Sequence, residues 1–200
     1  MRNIINILVV HLLLSLFVNG ADITLIDPKE AVRLIGNKKV VFISGDAPSE
    51  YNRQHILNSI RMYAYDLHYL DSECQPLSSC LAKAKEYIQG KGVTDDQLII
   101  AYDNFYGYNA MGVYSFFMSL GYLNIKVLNG GTNTIKELDP NQKVFDKLEK
   151  EKKEIERELL FVTKSKDINK DKIERLRDDL ISLQATIDII IPKLLIQSQK

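Results

Sequence analysis

Residues 98–122, LIIAYDNFYGYNAMGVYSFFMSLGY, pack three kinds of structure into one run. An unbroken apolar segment closes on Tyr102 and Asp103. A short stretch containing Gly107 follows, and an apolar helical segment then runs from about Asn109 to Gly121. A loop at the C-terminal end of a strand, opening a helix, is where α/β proteins place their chemistry. From Asn104 to Ala110, however, there is no Cys, Ser, His, Lys or Arg.

The neighbouring sequence repeats the alternation. DPKEAVRLIG predicts a helix with Asp27 as N-cap, Pro28 at the first helical position and Gly36 as stop signal. KVVFIS, SIRMYA, QLIIAY and IKVLNGG read as short strands buried on both faces. SSCLAKAKEYIQGKG reads as a helix capped by Ser78 or Ser79 and ended by glycine. Unalternating strands interleaved with helices predict an α/β domain over residues 22–138, a parallel sheet with helices on both faces.

After Pro140 the composition shifts. Residues 141–164 are rich in Lys and Glu, with Phe145, Leu148, Ile155, Leu159 and Val162 on one face. A polar break, TKSKDINKD, separates them from Ile173, Leu176, Leu180, Leu183, Ile187, Ile190 and Leu194, which recur at alternating spacings of three and four. A heptad seam of about three repeats predicts a helical hairpin or coiled-coil arm over residues 141–195. It packs on itself, on the globular domain or on a second chain. Pro192 should end or kink the second helix.

The start of the chain, MRNIINILVVHLLLSLFVNGA, has the form of an export signal: Arg2, then an apolar run from Ile7 to Val18, then small residues before Ala21. The run is shorter than the ~20 residues of a spanning helix. Cleavage after residue 20 and a secreted or periplasmic protein are therefore expected, with no membrane contact afterwards. The two cysteines, Cys74 and Cys80, are close enough for a local disulfide in an exported chain. A reactive thiol is the other reading of the pair. Neither spacing nor neighbours suggest a metal site or a cofactor. His68, near Asp66, Asp71 and Glu73, belongs to a solvated loop on this reading. Lys+Arg and Asp+Glu both number 26 in a chain of 200 residues, so nothing electrostatic points to nucleic acid. Hydrophobic residues at 46% call for a packed core rather than disorder.

Three segments together resemble the rhodanese family. APSEYNRQHILNSI carries Pro48, Glu50, Tyr51, His55 and Ile56 of a family motif, with Leu57 and Asn58 where Pro-Gly is usual. AKEYIQGKGVTDDQLIIAYDN is similar to the approach to the family's active loop. SLGYLNIKVLNGGTNTI matches the closing segment through Gly121, Tyr122, Val127, Leu128, Gly130 and Gly131. The resemblance implies structural roles for Glu50, Tyr51, His55, Gly130 and Gly131. It also implies that the loop Asn104, Phe105, Tyr106, Gly107, Tyr108, Asn109 is the family's persulfide-carrying loop.

Such a loop needs a thiolate activated by backbone N–H groups, with arginines to hold an anionic sulfur donor. Asp103 stands where active members have the cysteine, and Ser44, Gly45 and Asp46 replace the usual Asp-Val-Arg. The chain thus looks like the silent N-terminal half of tandem sulfurtransferases, which often ends this strand Tyr-Asp. The expectation is a module without catalytic residues, with Asp103 and Asn104 capping the next helix. A catalytic rhodanese domain, another protein or a second copy would dock through the helical arm. Two alternatives stay open: a sulfurtransferase using Cys74 or Cys80, and a coiled-coil adapter.

Overall fold

The computed structural model describes residues 23–73, 80–105, 107–164 and 169–198. The elements run β1 (Leu25–Ile26), α1 (Pro28–Leu34), β2 (Val40–Ser44), α2 (Pro48–Arg53), β3 (His55–Ile56), β4 (Ile60–Arg61) and α3 (Ala64–Glu73). They continue with α4 (Leu81–Gly90), β5 (Leu98–Tyr102), α5 (Tyr108–Ser119), β6 (Ile125–Leu128), α6 (Gly131–Leu138), α7 (Pro140–Lys164) and α8 (Lys170–Ile190). A 3₁₀ turn (Ile191–Lys193) leads to β7 (Ile196–Gln197).

Five strands form one parallel sheet in the order β1-β6-β5-β2-β4. Its faces explain the unalternating apolar runs. Val41, Ile43, Ile99 and Ala101 point into one cluster with Ile88 of α4 and Val113 and Phe117 of α5. Phe42, Ile100 and Tyr102 point into the other, with Ala31 of α1, Ile135 of α6, Ile56 and Ile196. Successive residues of a strand alternate sides, so a sheet covered twice needs apolar side chains at every position.

Local signals act as expected at α1. The Asp27 carboxylate accepts from Lys29 N–H at 2.8 Å, Pro28 opens the helix, and Gly36 follows it at a φ of 86°. The stretch around His68 departs from expectation: it lies on α3 rather than in a loop, with His68 exposed. Ser78 and Ser79 lie outside the described residues. Cys80 precedes α4 and makes no side-chain capping bond.

Helices α7 and α8 form the hairpin, running antiparallel with Lys152 bonded to Gln184 at 2.7 Å and Lys172 paired with Glu158 at 2.8 Å. Val162 of α7 and the heptad positions Leu176 and Ile187 of α8 are buried. Helix α8 stops at Ile190, two residues before Pro192.

The hairpin is not a free arm, because its far end returns to the domain. Strand β7 pairs antiparallel with β3, Ile56 opposite Ile196 and His55 opposite Gln197. Leu57 N–H donates to the Leu195 carbonyl at 2.7 Å. Asp139, buried between α6 and α7, accepts from Asn141 N–H at 2.9 Å and from Leu195 N–H at 2.7 Å. One carboxylate thus caps the outgoing helix and clasps the returning chain.

Candidate functional site

The C-terminal ends of β2 and β5 lie side by side, Ser44 opposite Tyr102. Asp103 follows, only 3% exposed. Its Oδ1 accepts from the N–H groups of Phe105 and Gly107, each at 3.0 Å. Its Oδ2 accepts from Asn109 N–H at 3.0 Å and Ala110 N–H at 3.2 Å. The loop therefore curls round one carboxylate, and the free N–H groups at the start of α5 converge on it. Gly107, at a φ of 84°, makes the turn that brings both sets of donors inward.

Asn104 does something other than cap α5. It is buried, and its Nδ2 donates to the carbonyls of Glu50 and Gln54, both at 3.1 Å. Thr132 Oγ1 donates to Asn104 Oδ1 at 2.7 Å, and Gln54 Nε2 donates to Thr132 Oγ1 at 3.0 Å. Those bonds fasten the loop to α2 and to the start of α6. Close contact there also accounts for Gly131: a Cβ would stand 2.7 Å from the Asp103 carbonyl, and the residue has a φ of 67°. Gly130, with a φ of 90°, precedes it.

Beside the loop, Gly45 carries the Asn109 carbonyl so closely that a Cβ would stand 2.3 Å from it. The next residue, Asp46, is 1% exposed. Ser44 Oγ donates to Asp46 Oδ2 at 3.1 Å and accepts from Asp46 N–H at 3.2 Å. Asp46 Oδ1 has no hydrogen-bond partner. Burial above all, with the nearby Asp103 carboxylate, raises the Asp46 pKa above its ordinary 3.8. The Asn104 backbone, Ser44 and the Asn109 side chain pull it the other way without offsetting burial.

The Glu50–Tyr51–His55 motif forms the floor. Tyr51 and His55 stack at 4.3 Å, and His55 Nδ1 donates to the Tyr51 carbonyl at 2.9 Å, which puts the neutral ring's proton on Nδ1. Tyr51 Oη donates to the Ser59 carbonyl at 2.6 Å. Tyr102 Oη accepts from Ile56 N–H at 3.0 Å and shares a 2.6 Å bond with Ser59 Oγ. The last residue of β5 is thereby tied to the His-Ile segment.

Burial lowers the His55 pKa below 6.5, against the opposing effect of the Tyr51 carbonyl. The unfolded chain then takes up a proton more readily than the folded one. The stability due to neutral His55 is complete above about pH 6.5 and falls as pH drops towards the folded-state value. Unfolding free energy should decline by at most about 1.4 kcal/mol per pH unit in that window. Urea titrations across the range should show the slope in the parent protein and lose it in His55→Gln.

At the mouth, Phe105 is half-exposed and Tyr108, the first residue of α5, is 82% exposed. They border a cleft of about 450 Å³ with Leu25, Met111, Gly130 and Gly131. The loop itself has no cation, but tertiary structure supplies one from α2. The Arg53 guanidinium lies 5.4 Å from the Phe105 ring centre and is bound to Glu50. Sequence spacing gave no sign of Arg53, because its partner is 52 positions away along the chain.

Of the aromatics in this segment, Tyr114, Phe116 and Phe117 are core residues. Tyr106, Cys74 and the segment 1–20 lie outside the described residues, so the loop tyrosine, the Cys74–Cys80 pairing and the export signal are not placed. Among the described residues, no group of three or more His, Cys, Asp or Glu could hold a metal ion. No helix of the described residues is long and apolar enough to cross a membrane.

The sequence matches no curated protein significantly. Among solved structures, an anaerobic ergothioneine biosynthesis enzyme from Chlorobium limicola, determined with trimethyl histidine, is 19% identical over 54% of this chain, with a TM-score of 0.43. This chain covers 24% of that enzyme, about a quarter of its length. The rhodanese-like domain of the Alr3790 protein of Anabaena sp. is 16% identical, covering 57% of this chain and 74% of that one, with a TM-score of 0.41. Residues 27–138, more than half of the chain, match the family described as rhodanese-like domain. By that match this chain belongs to a known family: it is a member of the rhodanese-like domain family.

Proposed function

We propose that this chain is an exported, catalytically silent rhodanese-like module that serves sulfur transfer by binding or by structural support. One observation carries the reading: the Asp103 carboxylate takes four loop N–H bonds at the position where the family resemblance puts the persulfide thiol. A carboxylate cannot carry a sulfane sulfur. With its charge already in the cradle, it also opposes entry of an anionic donor such as thiosulfate. The exposed rings of Phe105 and Tyr108 beside a charge-paired Arg53 suit contact with a protein surface better than capture of a small anion.

The test is turnover of thiosulfate or mercaptopyruvate with cyanide, followed as thiocyanate and run beside a free-thiol titration of the exported protein. Background rates and no free thiol are expected, since Cys74 and Cys80 pair in this reading. Robust turnover abolished by Cys74→Ser or Cys80→Ser would instead assign an active sulfurtransferase. Export is checked by the mass of the protein recovered outside the cytoplasm, which should lack residues 1–20.

A further inference from the structure

Helix α8 changes character half-way along. Residues 170–179 are mostly charged, whereas between Leu180 and Ile191 only Asp188 is. A helical stretch that is apolar on nearly every side is normally covered on every side. Here one side stays open to water. Ile181 is 69% exposed, Ile189 62% and Ile191 40%, and Ala185 is exposed as well.

Ile181, Ala185 and Ile189 are spaced by four, so they form one ridge along the helix. The ridge reads the same in both directions: a small residue with an isoleucine one turn to either side. Two such ridges can cross with their small centres in contact and each isoleucine set beside the other ridge, the commonest helix packing in globular proteins. A contact across a two-fold axis needs a self-complementary patch, and this ridge is one. Its polar neighbours are already engaged within the chain. Thr186 Oγ1 donates to the Ser182 carbonyl at 3.1 Å, and Gln184 Nε2 donates to Asp188 Oδ1 at 2.7 Å. Covering the ridge therefore strands neither group.

Charge selects the orientation. In an antiparallel crossing centred on Ala185, Asp178 of one copy comes level with Lys193 of the other, and symmetry repeats the pair. Both residues are exposed, and among the described residues neither has an ion pair within the chain. A parallel crossing would instead set Asp178 against Asp178. The chain as a whole has zero net charge, so its copies are not held apart.

We infer that the outer face of α8 is a contact between two copies of this chain, an antiparallel two-fold crossing centred on Ala185. The apolar stretch of helix is only about 18 Å long, so a single crossing falls in the smallest class of specific interfaces. The dimer is accordingly reversible, half-formed at about 0.1 mM protein.

The experiment is sedimentation equilibrium of the purified chain from about 0.01 to about 1 mM, a range that brackets the expected Kd. Monomer should pass to dimer with no larger species. Ile181→Lys with Ile189→Lys, both at exposed positions, should keep the parent's urea midpoint and raise the dimer Kd at least about a hundredfold. Asp178→Lys alone and Lys193→Asp alone should each weaken the dimer, and the two together should restore it. Those positions are about 22 Å apart along one helix, so restoration can come only from contact between copies. A monomer throughout the range would overturn the proposal. So would a dimer untouched by the isoleucine replacements, or a double charge variant no better than the single ones. Should the lysine replacements lower the urea midpoint, cross-linking decides the matter. Oxidised Ala185→Cys should give covalent dimers where Thr163→Cys, exposed on α7, does not, and equal yields would count against the contact.

Discussion

Asp103→Ala is expected to destabilise the folded protein by about 3–5 kcal/mol, because it leaves four backbone N–H groups facing a void instead of a carboxylate. Hydrogen bonds to a charged group are worth about 1.5–3 kcal/mol singly, but four on one carboxylate share strain and charge and do not add in full. For a chain of this size the fall in Tm should be about 10 °C. Formate, the smallest carboxylate, should restore part of the loss. At ten times its Kd it would return ~1.4 kcal/mol, whereas formamide at the same concentration would return little. Scanning calorimetry with both additives separates the explanations. A cost under about 1 kcal/mol, or equal recovery by formamide, would mean that the cradle is not an anion site held closed from within.

The second large effect is expected at the far end of the chain. Removing residues 194–200 should destabilise the rhodanese-like domain itself, although all of them lie outside the matched region 27–138. Ile196 is 9% exposed and belongs to the same cluster as Ile56, Tyr102 and Ile135. Deleting it opens that cluster, strips the partners of β3 and frees one oxygen of buried Asp139. Ile196→Ala alone should cost about 2–4 kcal/mol. Truncation should cost more, enough to leave much of the protein unfolded, since a domain's whole margin is about 5–15 kcal/mol. Circular dichroism and urea midpoints check both. If a chain ending at residue 140 kept the parent's midpoint, the hairpin would be a dispensable arm after all.

Three apolar strand segments and the hairpin were legible because their patterns are local, whereas SIRMYA, read as a strand buried on both faces, gives only the half-buried pair Ile60–Arg61. A strand covered on both faces must be apolar at consecutive positions, as in VVFIS and LIIAY, and a two-helix seam must repeat at three and four. The position of the loop was legible for the same reason, since it lies between such a strand and an apolar helix. His68 misled because α3 lacks a strong apolar stripe, and polar residues around it imitated a loop. Asn104 misled because an Asn next to a helix start suits capping. Its amide instead found carbonyls of α2, some 50 residues earlier in the chain.

By itself, then, the sequence determined the layered α/β domain, the heptad hairpin and the place of the loop after Asp103, all of which follow from residue type and short-range period. Tertiary structure alone decided four other things: that the Asp103 carboxylate is enclosed by four N–H groups, that Asp46 is buried beside it, that Arg53 reaches the mouth, and that β7 returns to pair with His55–Ile56. Each depends on contacts between segments far apart in the chain, or on how a loop curls. Burial and pairing belong to those contacts rather than to any residue read in isolation.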